Sequence, residues 1–357
     1  MCGFSLSFTS GILTPFAQEV SPVELLDMTC PHCCSPRVHV LYTYPTKNHG
    51  PRRMYECQEC FAYFSETKNT LLENLKTPLS VIQQVLKART DGLGLNATAR
   101  TFGISKNTVL DWERRCADLQ PVLFLYSLVH HFLQIVIEGD EAYTKVEKNR
   151  PADQSEGWTL LLMDRASRFI WTLECGKKDR KLFEQAIQTL EQLARNSADL
   201  TLLTDGERRY GNLLFELCWE LIHNGKPGRP KKTLKKGVKV RIKNKGSQAH
   251  KKGRKRPKYQ APWNEHPDTE PGVEEKQIHA NHAEAFFSAL RRKSSPFRRK
   301  TNTYAKSTRG LQRLLDVYWV FHNFARIHFT THEVPAVALG VIERRLSVAE
   351  IFQIRRA

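Results

Sequence analysis

The sequence predicts a modular α/β protein, with two small N-terminal units followed by one larger domain of alternating strands and helices. Three observations predict it. Residues 28–66 hold two cysteine pairs among short strand-like runs, residues 67–120 hold short amphipathic helices, and from Leu133 onward apolar strands alternate with helices. A chain of 357 residues is long enough for two or three such units. Its 40% hydrophobic and 26% charged residues are ordinary for a globular protein and exclude a coiled-coil rod or a collagen-like chain.

The first unit is Cys30-Pro-His-Cys33 and, after 23 intervening residues, Cys57-Gln-Glu-Cys60. Two residues between thiolates let each pair turn around one tetrahedral Zn²⁺, and the spacer suits a hairpin joining the two turns. This is the layout of a zinc ribbon. Cys34 follows Cys33 directly and competes with it as a ligand; the symmetric gap favours Cys33. Cys2, Cys116, Cys175 and Cys218 have no partner spacing and are given no role. Met28 stands just ahead of the first pair and offers an alternative start, with residues 1–27 read as a tail.

The second unit opens with apolar spacing at Leu79, Ile82, Val85 and Leu86. A short helix from Asn96 then runs into Phe102-Gly103-Ile104, and Ser105 is placed to cap a third helix holding Val109 and Trp112. Gly103 as the tight turn and Ser105 as the cap make a helix-turn-helix. Its recognition helix presents Lys106, Asn107 and Asp111 to a major groove.

In the third unit, residues 133–140 read as a strand ending on Asp140, and residues 158–163 and 169–173 as two more strands joined by a tight turn. A helix with Leu182, Phe183, Ala186, Leu190 and Leu193 follows, then a strand over 200–204 ending on Asp205-Gly206, then a helix over 210–221. In that order of elements the first and fourth strands lie side by side, which makes neighbours of Asp140 and Asp205. Glu284 falls on a helix over 279–293, with Asn281 one turn before it and Arg291 seven residues after it on the same face. Three carboxylates suit a pair of Mg²⁺ or Mn²⁺ ions, and Arg291 suits a phosphate. Glu138 and Glu141 flank Asp140; Glu138 is taken as a control whose replacement costs much less.

Asp140-Glu-Ala-Tyr, Thr204-Asp205-Gly206 and Asn281-His-Ala-Glu284 with its basic residue resemble the catalytic motifs of bacterial insertion-sequence DDE transposases. The aromatic run ending Phe-His-Asn-Phe-Ala-Arg326 is similar to the closing segment of such enzymes. The resemblance implies an RNase H-like catalytic domain over 130–330 with Asp140, Asp205 and Glu284 as catalytic metal ligands. Ahead of it stand a zinc ribbon over 28–66, ligated by Cys30, Cys33, Cys57 and Cys60, and a helix-turn-helix over 67–120. It also implies double-stranded DNA as partner, at transposon ends and in the target, and a homo-oligomer on that DNA. A transcriptional regulator that only binds DNA is the competing reading, and it has no need of three converging carboxylates. A nuclease that cuts without joining is a second competitor.

The net charge of +18 is concentrated: residues 226–258 hold 16 Lys and Arg and no Asp or Glu. Such a run releases counterions from a phosphate backbone. It belongs to an insertion over 224–276, expected as a disordered charged loop. Within it, the Gly-Arg229-Pro sequence resembles an AT-hook, with Arg229 as the arm for a minor groove. Residues 331–357 are expected as a C-terminal tail. No apolar stretch reaches the roughly 20 residues of a membrane helix, so the expectation is no membrane partner and a cytoplasmic, nucleoid-associated protein.

Overall fold

The structure, a computed structural model, describes residues 26–148, 150–223, 225, 228–244, 260–263, 266–267, 273–298 and 302–356. Residues 1–25 of the expected tail over 1–27, Lys226-Pro227 of the hook and the lysine-rich residues 245–258 lie outside the described residues. No helix among those described is long and apolar enough to cross a membrane.

Residues after Met28 form a three-stranded antiparallel sheet, β1 (Val38–Thr46), β2 (Gly50–Cys57) and β3 (Tyr63–Ser65), in that order. Its own core is small: Cys30, Tyr55, Cys57 and Phe64, with the rings of Tyr55 and Phe64 stacked at 5.8 Å. Three helices follow, α1 (Leu79–Thr90), α2 (Leu95–Phe102) and α3 (Lys106–Ala117). Gly103 ends α2 in the left-handed conformation at φ 65°, which a side chain disfavours. Ser105 Oγ then accepts the Thr108 backbone N–H at 3.1 Å and starts α3.

A further helix, α4 (Gln120–Leu128), leads into the large sheet. Its strands are β4 (Phe132–Tyr143), β5 (Trp158–Asp164), β6 (Ile170–Gly176), β7 (Ser197–Thr204), β10 (Val238–Asn244) and β11 (Gln260–Trp263). Their order is β11-β10-β7-β4-β5-β6, with β4, β7 and β10 parallel to one another and the pairs β10–β11, β4–β5 and β5–β6 antiparallel. The first and fourth strands of the domain therefore pair directly. Helix α5 (Arg180–Arg195) joins β6 to β7 and packs on β5, β6 and β7, and α6 (Arg208–Leu217) follows β7. Helix α7 (Asn281–Lys293) packs on β4 and β5. This mixed α/β arrangement is consistent with an RNase H-like fold.

The basic insertion is only partly the loop that its charge suggests. It contributes β9 (Lys231–Leu234), which pairs antiparallel with β8 (Trp219–Ile222) just ahead of the insertion, and then β10, which is a core strand. Val238, Val240 and Ile242 are buried, while Lys239 between them extends to Asp199 at 2.8 Å. The turn before the strand ends at Gly237, whose φ is +80° and where an added Cβ would collide with the Ala198 carbonyl oxygen. Gly237→Ala is therefore expected to destabilise the protein by about 2–5 kcal/mol, combining backbone strain with overpacking. Urea titration of the variant checks it, and an unchanged midpoint would show that β10 is not held at this point.

Helix α8 (Thr308–Phe324) lies along the outer edge of β6. Asn323, fully buried, accepts the Ile170 N–H and donates to the Ile170 carbonyl, both at 2.9 Å. Gln312 does the same one stretch along, accepting from Cys175 N–H and donating to the Leu173 carbonyl. Two amide side chains thus stand in for a missing neighbour strand and satisfy an edge that would otherwise be open. Residues 331–356, expected as a tail, carry α9 (Pro335–Ala338) and α10 (Val348–Ile351) and bury Ile351, Phe352 and Ile354. Arg356 N–H then meets the Asn69 carbonyl, and the Arg355 guanidinium lies over the Phe64 ring, tying this end to both N-terminal units.

Candidate metal centres and DNA-facing residues

The four predicted cysteines come together. Cys30 Sγ lies 3.5 Å from Cys60 Sγ and Cys33 Sγ 3.5 Å from Cys57 Sγ, with all four sulfurs within 4.8 Å of one another. A tetrahedron with bonds of about 2.3 Å has edges a little under 4 Å, so the set fits one Zn²⁺. The two turns are built alike. Cys34 N–H donates to the Cys30 carbonyl and Phe61 N–H to the Cys57 carbonyl, and Cys34 and Phe61 each have φ near +60°. Cys34 is therefore the residue that closes the first turn, and the ligand position falls to Cys33. The backbone N–H of Cys60 pulls the Cys57 thiol down to about 7, towards the thiolate that binds metal.

Topology brings two of the three predicted acids to adjacent strands. In the parallel pairing of β4 with β7, Gly139 stands opposite Thr204, so Asp140 and Asp205 are the next residues on adjacent strands. Both Asp205 carboxylate oxygens are shielded from solvent. Tyr210, fully buried on α6, donates its hydroxyl to the Asp140 carbonyl at 3.2 Å and secures the backbone there. Glu284 is in the first turn of α7. Asn281 of that helix accepts from Lys243 Nζ at 3.2 Å, and Lys243 follows the β10 residue that pairs with Thr204. The three carboxylates as a set stand wider than the 4.8 Å that encloses the cysteine sulfurs. Mutual repulsion among three anions favours such a spread.

Glu138 and Glu141, the neighbours of Asp140, have separate tasks. Glu141 pairs with Lys178, which also reaches Glu207 at 3.3 Å. Glu138 is fully buried and takes Arg165 Nε at 2.7 Å, His282 Nδ1 at 2.7 Å, and the backbone N–H groups of His282 and Ala283 at 2.9 and 3.0 Å. Its replacement cannot be a mild control, because an uncompensated buried partner set would be left behind. Ligand atoms of Glu138, His279 and His282 also lie within 4.8 Å of one another, a second group that could hold a metal. Burial, with Arg165 adding to it, holds His279 below the ordinary histidine range. Sequence reasoning misses Arg165, His279, His282 and Lys243. Arg165 and the histidines are more than a hundred residues apart, and no local pattern links them.

Lys106 and Asn107 are exposed at the start of α3. Asp111, expected beside them, is instead half-buried and paired with Arg115 one turn on at 2.9 Å. Arg229 is exposed ahead of β9, and Arg291 is half-buried on α7. Comparison with known proteins adds little to this geometry. No family model and no curated protein matches the sequence. Among solved structures, a chain of the crystal structure of the Mos1 strand transfer complex is similar over 37% of this chain at 13% identity and a TM-score of 0.15. The match spans about half of that chain, 52%, and a likeness of this degree carries no argument.

Proposed function

We propose that this chain is a DNA transposase of the DDE type, which binds transposon ends and catalyses metal-dependent cleavage and strand transfer. The observation that carries the reading is the parallel register that makes neighbours of Asp140 and Asp205, with the helix of Glu284 pinned to the same strand. The ends of parallel strands are where open α/β sheets bind and transform ligands. Hard carboxylate oxygens suit Mg²⁺ or Mn²⁺. When bound, such ions lower the barrier to attack on a phosphodiester by neutralising charge on its oxygens.

In the first step a water oxygen attacks phosphorus, a P–O3′ bond breaks, and the freed 3′ oxygen takes up a proton. In the second, that 3′ hydroxyl attacks a target phosphodiester, one P–O bond forming as another breaks. Asp140, Asp205 and Glu284 hold the catalytic site. Lys243 and Arg291 draw the backbone phosphate towards it. The cysteine cluster holds one structural zinc, Lys106 and Asn107 read base edges, and Arg229 with the basic insertion adds sequence-independent affinity. Two or more copies act together, since a transposon has two ends.

The reading is tested by incubating the protein with a duplex carrying the DNA that borders its gene, in Mg²⁺ or Mn²⁺. Nicking at a fixed position and joining to a second duplex are expected. Tight specific binding with no cleavage in either metal would replace the transposase by a regulator. Because β10 and β11 pair at Asn244 and Gln260, the deletion is confined to 246–255, which removes four basic residues and leaves five residues to join the two strands. That deletion is expected to weaken binding to all duplexes alike and to flatten the salt dependence by roughly 0.9 in log–log slope for each phosphate no longer neutralised. An unaltered slope would show that the segment stays off the DNA.

A further inference from the structure

We propose that Glu138 is a positioning residue: from strand β4 it caps the N-terminus of α7 and so fixes Glu284 relative to Asp140. This rests on the proposed function for its catalytic consequence, though the cap itself is independent of it. The N-terminus of a helix leaves backbone N–H groups without partners, and a nearby side chain normally supplies the acceptor. Ala280, the residue ahead of α7, has no side-chain acceptor to offer, and His279 Nδ1 reaches only the Asn281 N–H, at 3.4 Å. The task passes to a carboxylate 144 residues earlier, which accepts the N–H groups of His282 and Ala283 on one oxygen. A buried anion at that place is further favoured by the helix dipole.

Its other oxygen takes Arg165 Nε and His282 Nδ1. Arg165 in turn donates to the Gln277 carbonyl at 2.7 Å and to the His279 carbonyl, so it grips the segment that leads into the helix. The approach to α7 and its first turn are therefore held from one point on β4. Glu284 belongs to that first turn, and Asp140 is two residues along β4 from Glu138, on the same face of the strand. A fault in this anchor would carry Glu284 away from Asp140. The same cluster could be read as a metal site, but the guanidinium already shares the carboxylate oxygen and lies 3.4 Å from His279 Nδ1, where it would repel a second cation.

The experiment compares the full-length protein with Glu138→Gln, which keeps the shape and replaces acceptor by donor on one side. Amide exchange at residues 282–285 should accelerate while the β4–β7 ladder stays protected. Cleavage should fall on the order of 100-fold, as expected for a displaced reacting geometry. Duplex binding should be unchanged, and the Mg²⁺ concentration for half-maximal cleavage should rise. Should that variant not fold, Arg165→Met, which leaves the carboxylate and both backbone donors, is expected to show the same split more mildly. Unchanged exchange at 282–285, or cleavage within twofold of the parent, overturns the proposal. So does a stoichiometric metal that an Asp205→Ala protein still holds outside the cysteine cluster and loses when Glu138→Gln is added. If the parent itself does not cleave, the transposase reading fails while the exchange result still decides the cap.

Discussion

Asp205→Ala is expected to lower DNA cleavage and strand transfer by at least on the order of 10³-fold while leaving binding to the ends within about twofold of the parent. The carboxylate stands just past the last residue of β7, against Asp140 on the neighbouring strand, and its oxygens are shielded from solvent. Two divalent cations held close together need several anionic oxygens, and removing one carboxylate empties or misplaces a site. Asp140→Ala and Glu284→Ala should behave alike, since the three act as one unit and their losses do not add. On the proposed reading binding survives, because it is assigned to α3, the ribbon and the basic insertion, which are other parts of the chain. Cleavage of a labelled end duplex is the measurement. Full activity in any one variant removes that residue from the set, and loss of binding together with cleavage would mean that the substitution has unfolded the sheet.

Cys57→Ser is expected to take the zinc content from about one per chain to near zero and to unfold residues 28–66. The ribbon buries only Cys30, Tyr55, Cys57 and Phe64, too little apolar surface to order three strands by itself. Metal binding then supplies the folding free energy, on the order of 10–16 kcal/mol for structural zinc in small domains. Serine offers a poor ligand in place of a fully buried thiolate that the Cys60 N–H already favours. Metal analysis and amide exchange report the result. The large sheet should keep its protection, because its core does not include the ribbon residues. A variant that retains stoichiometric zinc would remove Cys57 from the ligand set.

Much of the fold and of the candidate site is legible in the sequence. The doubled cysteine spacing, Gly103 and Ser105 around a turn, and four strands with a helix before the last are local patterns, and each follows from a short stretch of residues. What escapes reading is non-local or disguised. Strand β10 alternates Val-Lys-Val-Arg-Ile as a strand should, yet it sits in a lysine-rich run whose charge reads as solvated loop; pairing of Lys239 with Asp199 is what lets it be buried. Glu138 reads as dispensable beside Asp140 because its partners lie in a helix far along the chain. Asp111 reads as available because its salt bridge to Arg115 is one of several that the same spacing allows. The residues after 331 read as a tail although about half of them are apolar, because they form only two short helices whose apolar positions need the rest of the protein to pack against.

The three-helix unit and the α/β domain are not beads on a string. Trp112 and Cys116 of α3 belong to the same continuous apolar core as Leu315 and Trp319 of α8, and a buried Arg89–Glu113 pair, approached by Arg313, is locked between them. On the proposed reading this turns the protein into a ruler. The span from the bases read by α3 to the phosphate that is cut is set by a rigid body and not by the reach of a tether, so every end should be cut at one fixed spacing from its recognised sequence. Slack introduced between α3 and α8 would show itself as a ladder of products in place of a single band.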